Sequence, residues 1–178
     1  MLFAIRAATL ADLPAILAIE RQTSSAAHWT HDEYEKLVKT GVVILAENVA
    51  EHVAEQVPEH AAQSVATRPP AKLCGFVCAQ AVVADWGLEN IVVATEFLRQ
   101  GIADQLMRAL IREAQTLDAS RILLEVRESN LAARRLYEKH GFRESGRRRN
   151  YYNNPPEDAI LYALGCESAT KERRSPKP

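Results

Sequence analysis

Between residues 88 and 142 the chain alternates apolar runs with amphipathic ones, and this alternation constrains the fold more than any other feature. Leu88 to Val93 reads as a strand. Gly101 then opens a long helix with Ile102, Leu106, Leu110, Ala114 and Leu117 on one face. Ile122-Leu123-Leu124-Glu125-Val126 is a buried strand, Asn130 caps a helix running to His140, and Gly141 ends that helix. Strands interleaved with helices build a sheet whose faces those helices cover.

The flanking segments extend the pattern. Leu2 to Ala8 reads as a strand, and Thr9 or Asp12 caps a helix carrying Leu13, Ile16, Leu17 and Glu20, with Pro14 inside its first turn. Thr30-His31-Asp32-Glu33 is a capping box, with Trp29 and Tyr34 at the two positions of a hydrophobic staple. Trp29 reads equally as a packing residue and as part of a substrate entrance. Val42 to Glu47 and Leu73 to Val83 read as strands, and Asp85-Trp86-Gly87 as a turn. Arg143 to Tyr152 and Ala159 to Leu164 are extended, separated by Asn153-Asn154-Pro155-Pro156. The order predicts an α/β (α+β) chain with a mixed sheet.

Residues 48–72 interrupt this order with a degenerate repeat, Val49-Ala50-Glu51-His52 through Val57-Pro58-Glu59-His60, and end in Thr67-Arg68-Pro69-Pro70. They read as an inserted, mobile hairpin connection; His52 and His60 lack the further ligands a metal needs, so no metal is expected. The polar, proline-bearing segment 167–178 reads as a disordered tail, leaving one domain over 1–166.

Composition narrows the partners. Of 178 residues, 47% are hydrophobic and 25% charged, which suits a globular domain and excludes collagen, coiled coil and wholesale disorder. Lys plus Arg number 22 against 23 Asp plus Glu, which argues against a dedicated nucleic-acid site. No apolar run reaches the ~18 residues of a membrane span, and no signal peptide is legible. Cys74, Cys78 and Cys166 match neither a zinc site nor a redox pair, so a reduced, cytoplasmic protein is expected.

Three features carry chemistry. A helix opened by Gly101 exposes unpaired N–H groups that suit an anion, although no dinucleotide or P-loop fingerprint accompanies it. Glu125 is a carboxylate within an apolar strand; burial raises a carboxylate toward the range of a general base, and an ion pair with Arg121 or Arg127 is the structural alternative. Tyr137 lies seven residues past Asn130, where with Leu136 it packs on the sheet or donates a proton to a leaving thiolate.

Arg99-Gln100-Gly101-Ile102-Ala103, Leu124-Glu125-Val126-Arg127-Glu128-Ser129-Asn130 and Leu136-Tyr137-Glu138-Lys139-His140-Gly141-Phe142 together resemble the GNAT acyl-CoA N-acyltransferases. Arg148-Arg149-Asn150-Tyr151-Tyr152 and Glu157-Asp158-Ala159 resemble one branch, the ribosomal-protein-alanine N-acetyltransferases. The resemblance is dense over residues 88–164. It implies a mostly antiparallel sheet of six to seven strands, about four helices, and strands splayed at the acetyl-CoA site. It also implies that Ile91, Val92 and Val93 hold the pantetheine arm, and that the amides of Arg99, Gln100, Gly101, Ile102, Ala103 and Asp104 hold the pyrophosphate. Asn130 would bond the cofactor, Glu125 act as base and Tyr137 as acid. The implied acceptor is the N-terminal alanine of a ribosomal protein.

Two departures stand out. Leu98 occupies the first position of the pyrophosphate motif, and His28-Trp29-Thr30 stands where the branch often has Pro-Trp-Ser. Backbone amides supply most pyrophosphate contacts, so weakened rather than lost binding is expected. Arg147, Arg148 and Arg149 read as contacts to RNA or to a coenzyme phosphate, or as solvated edge residues; Glu157 and Asp158 read as a basic-peptide contact or a turn pair. Acetylation of a small amine, and a non-catalytic acyl-CoA- or RNA-binding module, are the competing functions.

Overall fold

The computed structural model describes residues 2–23, 29–49 and 72–166. Within them the chain runs β1 (Leu2–Ala7), a 3-10 turn (Leu10–Asp12), α1 (Leu13–Arg21), α2 (His31–Thr40), β2 (Val42–Val49) and β3 (Lys72–Val82). It continues with β4 (Asp85–Val93), a second 3-10 turn (Thr95–Phe97), α3 (Ile102–Thr116), β5 (Arg121–Arg127), α4 (Leu131–Lys139), β6 (Arg143–Asn153) and β7 (Pro156–Gly165). The strands form one seven-stranded sheet in the order β1-β2-β3-β4-β5-β7-β6. Every neighbouring pair is antiparallel except β4–β5.

Local chemistry sets the helix ends. Thr30 Oγ1 accepts from the Glu33 amide at 3.3 Å while Glu33 accepts from the Thr30 amide at 2.6 Å, which closes the expected capping box. Asn130 Oδ1 accepts from the Ala133 amide at 3.1 Å, and Gly141 leaves α4 with φ +86°. On α3 the buried face is Ile102, Leu106, Met107, Leu110 and Ala114. Leu117 does not extend it. The helix stops at Thr116, Asp118 turns the chain at φ +53°, and Leu117 is left exposed.

Leu73 through Ala79 on β3 are all buried, because α1 and α2 cover one face of the sheet and α3 the other. That double cover explains an unbroken apolar run where an alternating one would expose half its residues. The cysteines lie in this interior as free thiols, and burial raises the Cys78 thiol well above its ordinary value.

Two sequence expectations shift. Asp85-Trp86-Gly87 is not a turn: the hairpin turns at Val83-Ala84, with Val83 at φ +60°, and Asp85 already pairs with Val82. Asn48 pairs with Lys72, so both ends of the expected insert belong to the sheet; residues 50–71, with His52 and His60, and the tail 167–178 lie outside the described residues.

One ion cluster fastens the edge of the sheet. Arg6 donates to Asp12 Oδ1 and Oδ2 at 2.7 and 2.8 Å and also binds Glu47, joining β1, the 3-10 turn and β2. The Arg6 bonds hold the Asp12 carboxyl well below the usual carboxylate range. A carboxylate depressed in the folded state stabilises fully above its unfolded value near ~4, and that gain is lost as pH falls through the folded value. Asp12→Asn is therefore expected to lose about 0.2–1 kcal/mol at pH 7, given the partial exposure of the pair, with the gap to wild type closing below pH ~4. Urea midpoints of both proteins across pH 2–7 check this, and a gap independent of pH would assign the loss to something other than charge.

Candidate active site

β4 and β5 pair over only four positions, Asp85–Leu88 against Arg121–Leu124. Beyond them β4 runs on to Val93 and β5 to Arg127 without pairing to each other, so the sheet splits. The split begins where β4 loses register with β3. Asn90 faces Cys78 and Leu88 faces Ala79, which leaves Glu89 as the extra residue of a bulge, and bulges bend and twist the strand that carries them.

The bonding alternation of an antiparallel ladder says which backbone groups face the opening. The Ala94 amide donates to Cys74 O at 2.8 Å, so Val92 in turn bonds β3. Ile91 and Val93 then direct their N–H and C=O groups to the open side. Of the three strand residues expected to meet a ligand through their backbone, Val92 is thus committed to β3.

At the same end of the sheet the chain turns into α3 through Arg99 at φ +62° and Gly101 at φ +79°. No atom lies within 4 Å of where a Cβ on Gly101 would sit, so its requirement is conformational rather than steric. The first bond of α3 runs from the Gln105 amide to Gly101 O, which leaves the amides of Ile102, Ala103 and Asp104 without intrahelical partners. The Asp104 carboxylate points elsewhere. It receives Lys139 Nζ at 2.6 Å, Arg108 Nη2 at 2.9 Å and His140 Nε2 at 3.0 Å, which gathers three basic side chains beside the first turn of α3. The Leu98 side chain is half exposed, while its amide donates to Thr95 O at 3.3 Å.

A cleft of about 450 Å³ opens on the sheet across β4, β5, β7 and β6. Glu89 and Glu125 line it together with the aromatic rings of Trp29, Tyr151, Tyr152 and Tyr162. Glu125 is not desolvated: its side chain is 26% exposed, and Oε1 holds Arg148 Nη2 at 3.0 Å. Neither sequence neighbour is its partner, since Arg121 binds Asp85 at 2.6 Å and Arg127 binds Glu157 at 3.2 Å. Partial burial raises the Glu89 carboxyl, and the charge of Glu125 raises it further. The Tyr151 phenol is raised first by its interaction with the Glu125 carboxylate and then by burial.

Tyr137 does not line this cleft. It is buried on α4 against Phe142 and Tyr162, with ring centroids 5.9 and 6.2 Å away, and Tyr162 in turn forms part of the cleft wall. Burial raises the phenol well above its ordinary value. Its hydroxyl makes no hydrogen bond to a described residue. Asn130 spends its amide oxygen on the cap, and its amide nitrogen bonds no described residue.

The Arg-Arg-Arg-Asn-Tyr-Tyr segment divides its labour. Arg147 binds Glu128 at 2.6 Å and Asp158 at 3.3 Å, Arg148 enters the cleft, and Arg149 is exposed. Asp158 accepts from the Asn150 amide at 2.9 Å and holds the bulge between Arg148 and Tyr152. Glu157 accepts from the Ser129 amide and binds Arg127. Glu157 and Asp158 are therefore structural braces, and neither a free acidic surface nor a turn pair.

Sequence reasoning missed Glu89 and Tyr162 and left Trp29 divided. Trp29 does both: its ring packs 5.6 Å from Tyr34 and also borders the cleft. Its amide donates to Glu20, a buried carboxylate that further accepts from Tyr34 Oη at 2.6 Å and lies 3.4 Å from Asn90 Nδ2. A charged residue on the buried face of α1 was the available signal.

Comparison with known proteins agrees with this geometry. The chain is 42% identical over 95 residues to the [ribosomal protein bS18]-alanine N-acetyltransferase of Escherichia coli (strain K12), covering 52% of this chain and 64% of that protein. It is 38% identical over 92 residues to the protein of the same name from Haemophilus ducreyi, covering 50% and 63%. The matches thus span less than two thirds of these relatives. The crystal structure of the ribosomal-protein-S18-alanine N-acetyltransferase from Escherichia coli superposes with a TM-score of 0.74 at 29% identity, over 94% of this chain and 96% of that one. Arabidopsis thaliana NAA60 in complex with acetyl-CoA shares the fold, with a TM-score of 0.74 at 19% identity over 92% and 98% of the two chains. The acetyltransferase (GNAT) family profile matches residues 25–142, across the split, the α3 turn and the whole of α4, and on that match the chain belongs to the GNAT acetyltransferase family.

Proposed function

We propose that the protein transfers an acetyl group from acetyl-CoA to the N-terminal α-amine of a ribosomal protein that begins with alanine. The split beside the α3 turn is the observation that carries this reading: free strand-edge groups, free helix amides and an acidic cleft converge where the sheet opens. The backbone groups of Ile91 and Val93 accept the pantetheine arm in the manner of an added strand. The amides from Arg99 to Asp104 hold the pyrophosphate, reinforced by the helix dipole, and the amide nitrogen of Asn130 bonds the arm near its reactive end.

Acetyl-CoA supplies the acyl group as an activated thioester. A peptide α-amine has a pKa near ~8, so it needs only a modest base. Glu125, directly or through water, takes the proton and leaves the amine free to attack the thioester carbonyl. The Val93 amide on the open edge is placed to donate to the developing oxyanion. Tyr137 gives a proton to the leaving sulfur, and the proton shed by the newly acylated nitrogen restores the phenol. Its raised phenol is protonated throughout the physiological range, so the donor form is always present.

The reading is tested by mixing the protein with acetyl-CoA and peptides differing only in their first residue. Mass spectrometry locates the added acetyl group, and free thiol gives the rate. Transfer to the α-amine of the alanine-starting peptide, well above serine or methionine starts, is the expected result. Thiol release with small amines alone would discard the ribosomal acceptor.

A further inference from the structure

Two carboxylates face the same cleft, and their circumstances differ. Glu125 is bound to Arg148 Nη2 at 3.0 Å. Glu89 makes no hydrogen bond or ion pair with any described residue, and its position on the bulge follows directly after the last residue of β4 that pairs with β5. Trp29, Tyr151, Tyr152 and Tyr162 line the cleft with the pair, Arg127 already lies 4.1 Å over the Tyr152 ring, and Arg148 is the cationic side chain among the lining residues. Its guanidinium lies 5.3 Å from the centre of the Tyr151 ring. A carboxylate beside an aromatic ring forms a place for a cation.

The arginine is attached so that it can leave. Its backbone pairs with Ala159, and directly after it β6 departs from the ladder until Tyr152 meets Glu157. Its side chain is 54% exposed, so swinging outward breaks one ion pair and one ring contact without opening the core.

We propose that Arg148 is a tethered stand-in for the acceptor's α-ammonium: it covers Glu125 beside the Tyr151 ring, in a cleft that Glu89 also lines, and an entering N-terminus displaces it. The acceptor therefore enters as its charged form and passes its proton to the carboxylates only after Arg148 has withdrawn. Glu89 gives the arriving ammonium a first contact while Glu125 is still covered. An exchange of this kind selects against chains whose N-terminus carries no charge, which cannot compete with a guanidinium for Glu125. The proposal rests on the acetyl-transfer reading only for the identity of the amine.

Calorimetric titration with an alanine-starting peptide and its N-acetylated twin tests it without requiring turnover. An exposed ion pair of this kind is worth no more than about fivefold in an equilibrium. Arg148→Ala is expected to tighten binding of the free-amine peptide by about two- to fivefold and leave the twin unchanged, whereas Arg148→Lys keeps the wild-type affinity. Glu89→Gln is expected to weaken the free-amine peptide by about fivefold, again without effect on the twin. Weaker or unchanged free-amine binding in Arg148→Ala, or equal shifts for both peptides, would overturn the proposal and make Arg148 part of the cleft wall. Acetyl transfer to the same peptide is scored separately: no transfer with the binding pattern intact would sink the proposed function and leave the displacement standing.

Discussion

Glu125→Gln and Tyr137→Phe are each expected to lower kcat by about 10²–10⁴-fold, the range over which a positioned acid or base contributes. That is roughly 3–5 kcal/mol of barrier. Both substitutions preserve shape. Glutamine fills the same volume on β5, and phenylalanine keeps the ring contacts of Tyr137 with Phe142 and Tyr162. A fall in kcat at unchanged thermal stability would therefore isolate the lost proton transfer from lost packing. The pH profile adds a second check. Burial raises the Tyr137 phenol, so its acidic form persists above the ordinary phenol value and no alkaline decline from this group is expected below pH ~10. Near-wild-type turnover at pH 7 in both variants would discard the acid–base pair.

The largest stability effect is expected away from the chemistry, at Glu20. Its carboxylate is 1% exposed and gathers the Trp29 amide, the Tyr34 hydroxyl and the Asn90 amide, so it joins α1, the entry to α2 and the strand bearing the bulge. Glu20→Ala strands the Trp29 amide and the Tyr34 hydroxyl with no carboxylate to receive them. Buried groups left unpaired cost about 1–3 kcal/mol each, so a loss of about 2–4 kcal/mol is expected, seen as a fall in Tm of roughly 5–15 °C. Glu20→Gln retains one acceptor oxygen and is expected to lose less. Because Trp29 borders the cleft, KM for a peptide acceptor should rise in Glu20→Ala more than kcat falls. A loss under 1 kcal/mol would mean that solvent replaces the carboxylate.

The fold was legible where its causes are local. The Thr30–Glu33 box, the Asn130 cap and Gly141 each act within four residues, and a capping side chain needs no knowledge of the rest of the chain. The β3–β4 turn was misplaced because Val83-Ala84 carries neither glycine nor asparagine, whereas Asp85-Trp86-Gly87 looks like a turn and is held in β4 by its partners on β3 and β5. Strand position is decided by pairing, which single-strand patterns do not contain.

The candidate site divides in the same way. Glu125 and Tyr137 could be singled out because a carboxylate inside an apolar strand and a phenol on the following helix are anomalies within one stretch of chain. Arg148 on Glu125 could not, since β6 reaches β5 only across β7. Glu89 looked like an ordinary polar residue until the bulge turned it toward the cleft, and the bulge arises from register with β3.

The four residue pairs that join β4 to β5 have a mechanical consequence. They are the seam between two plates, β1 to β4 on one side and β5, β7 and β6 on the other, and the bonds of Asp104 on α3 to Lys139 and His140 at the end of α4 tie the plates a second time. Each plate is braced by its own antiparallel ladders, so a load across the molecule falls on the seam and on this tie. The strand-edge and helix amides belong to the first plate, and Glu125, Tyr137 and Arg148 to the second. On the proposed function, a substrate seated in the split would act as a splint between them, and the chemistry would then depend on how the two plates are aligned more than on how either one flexes.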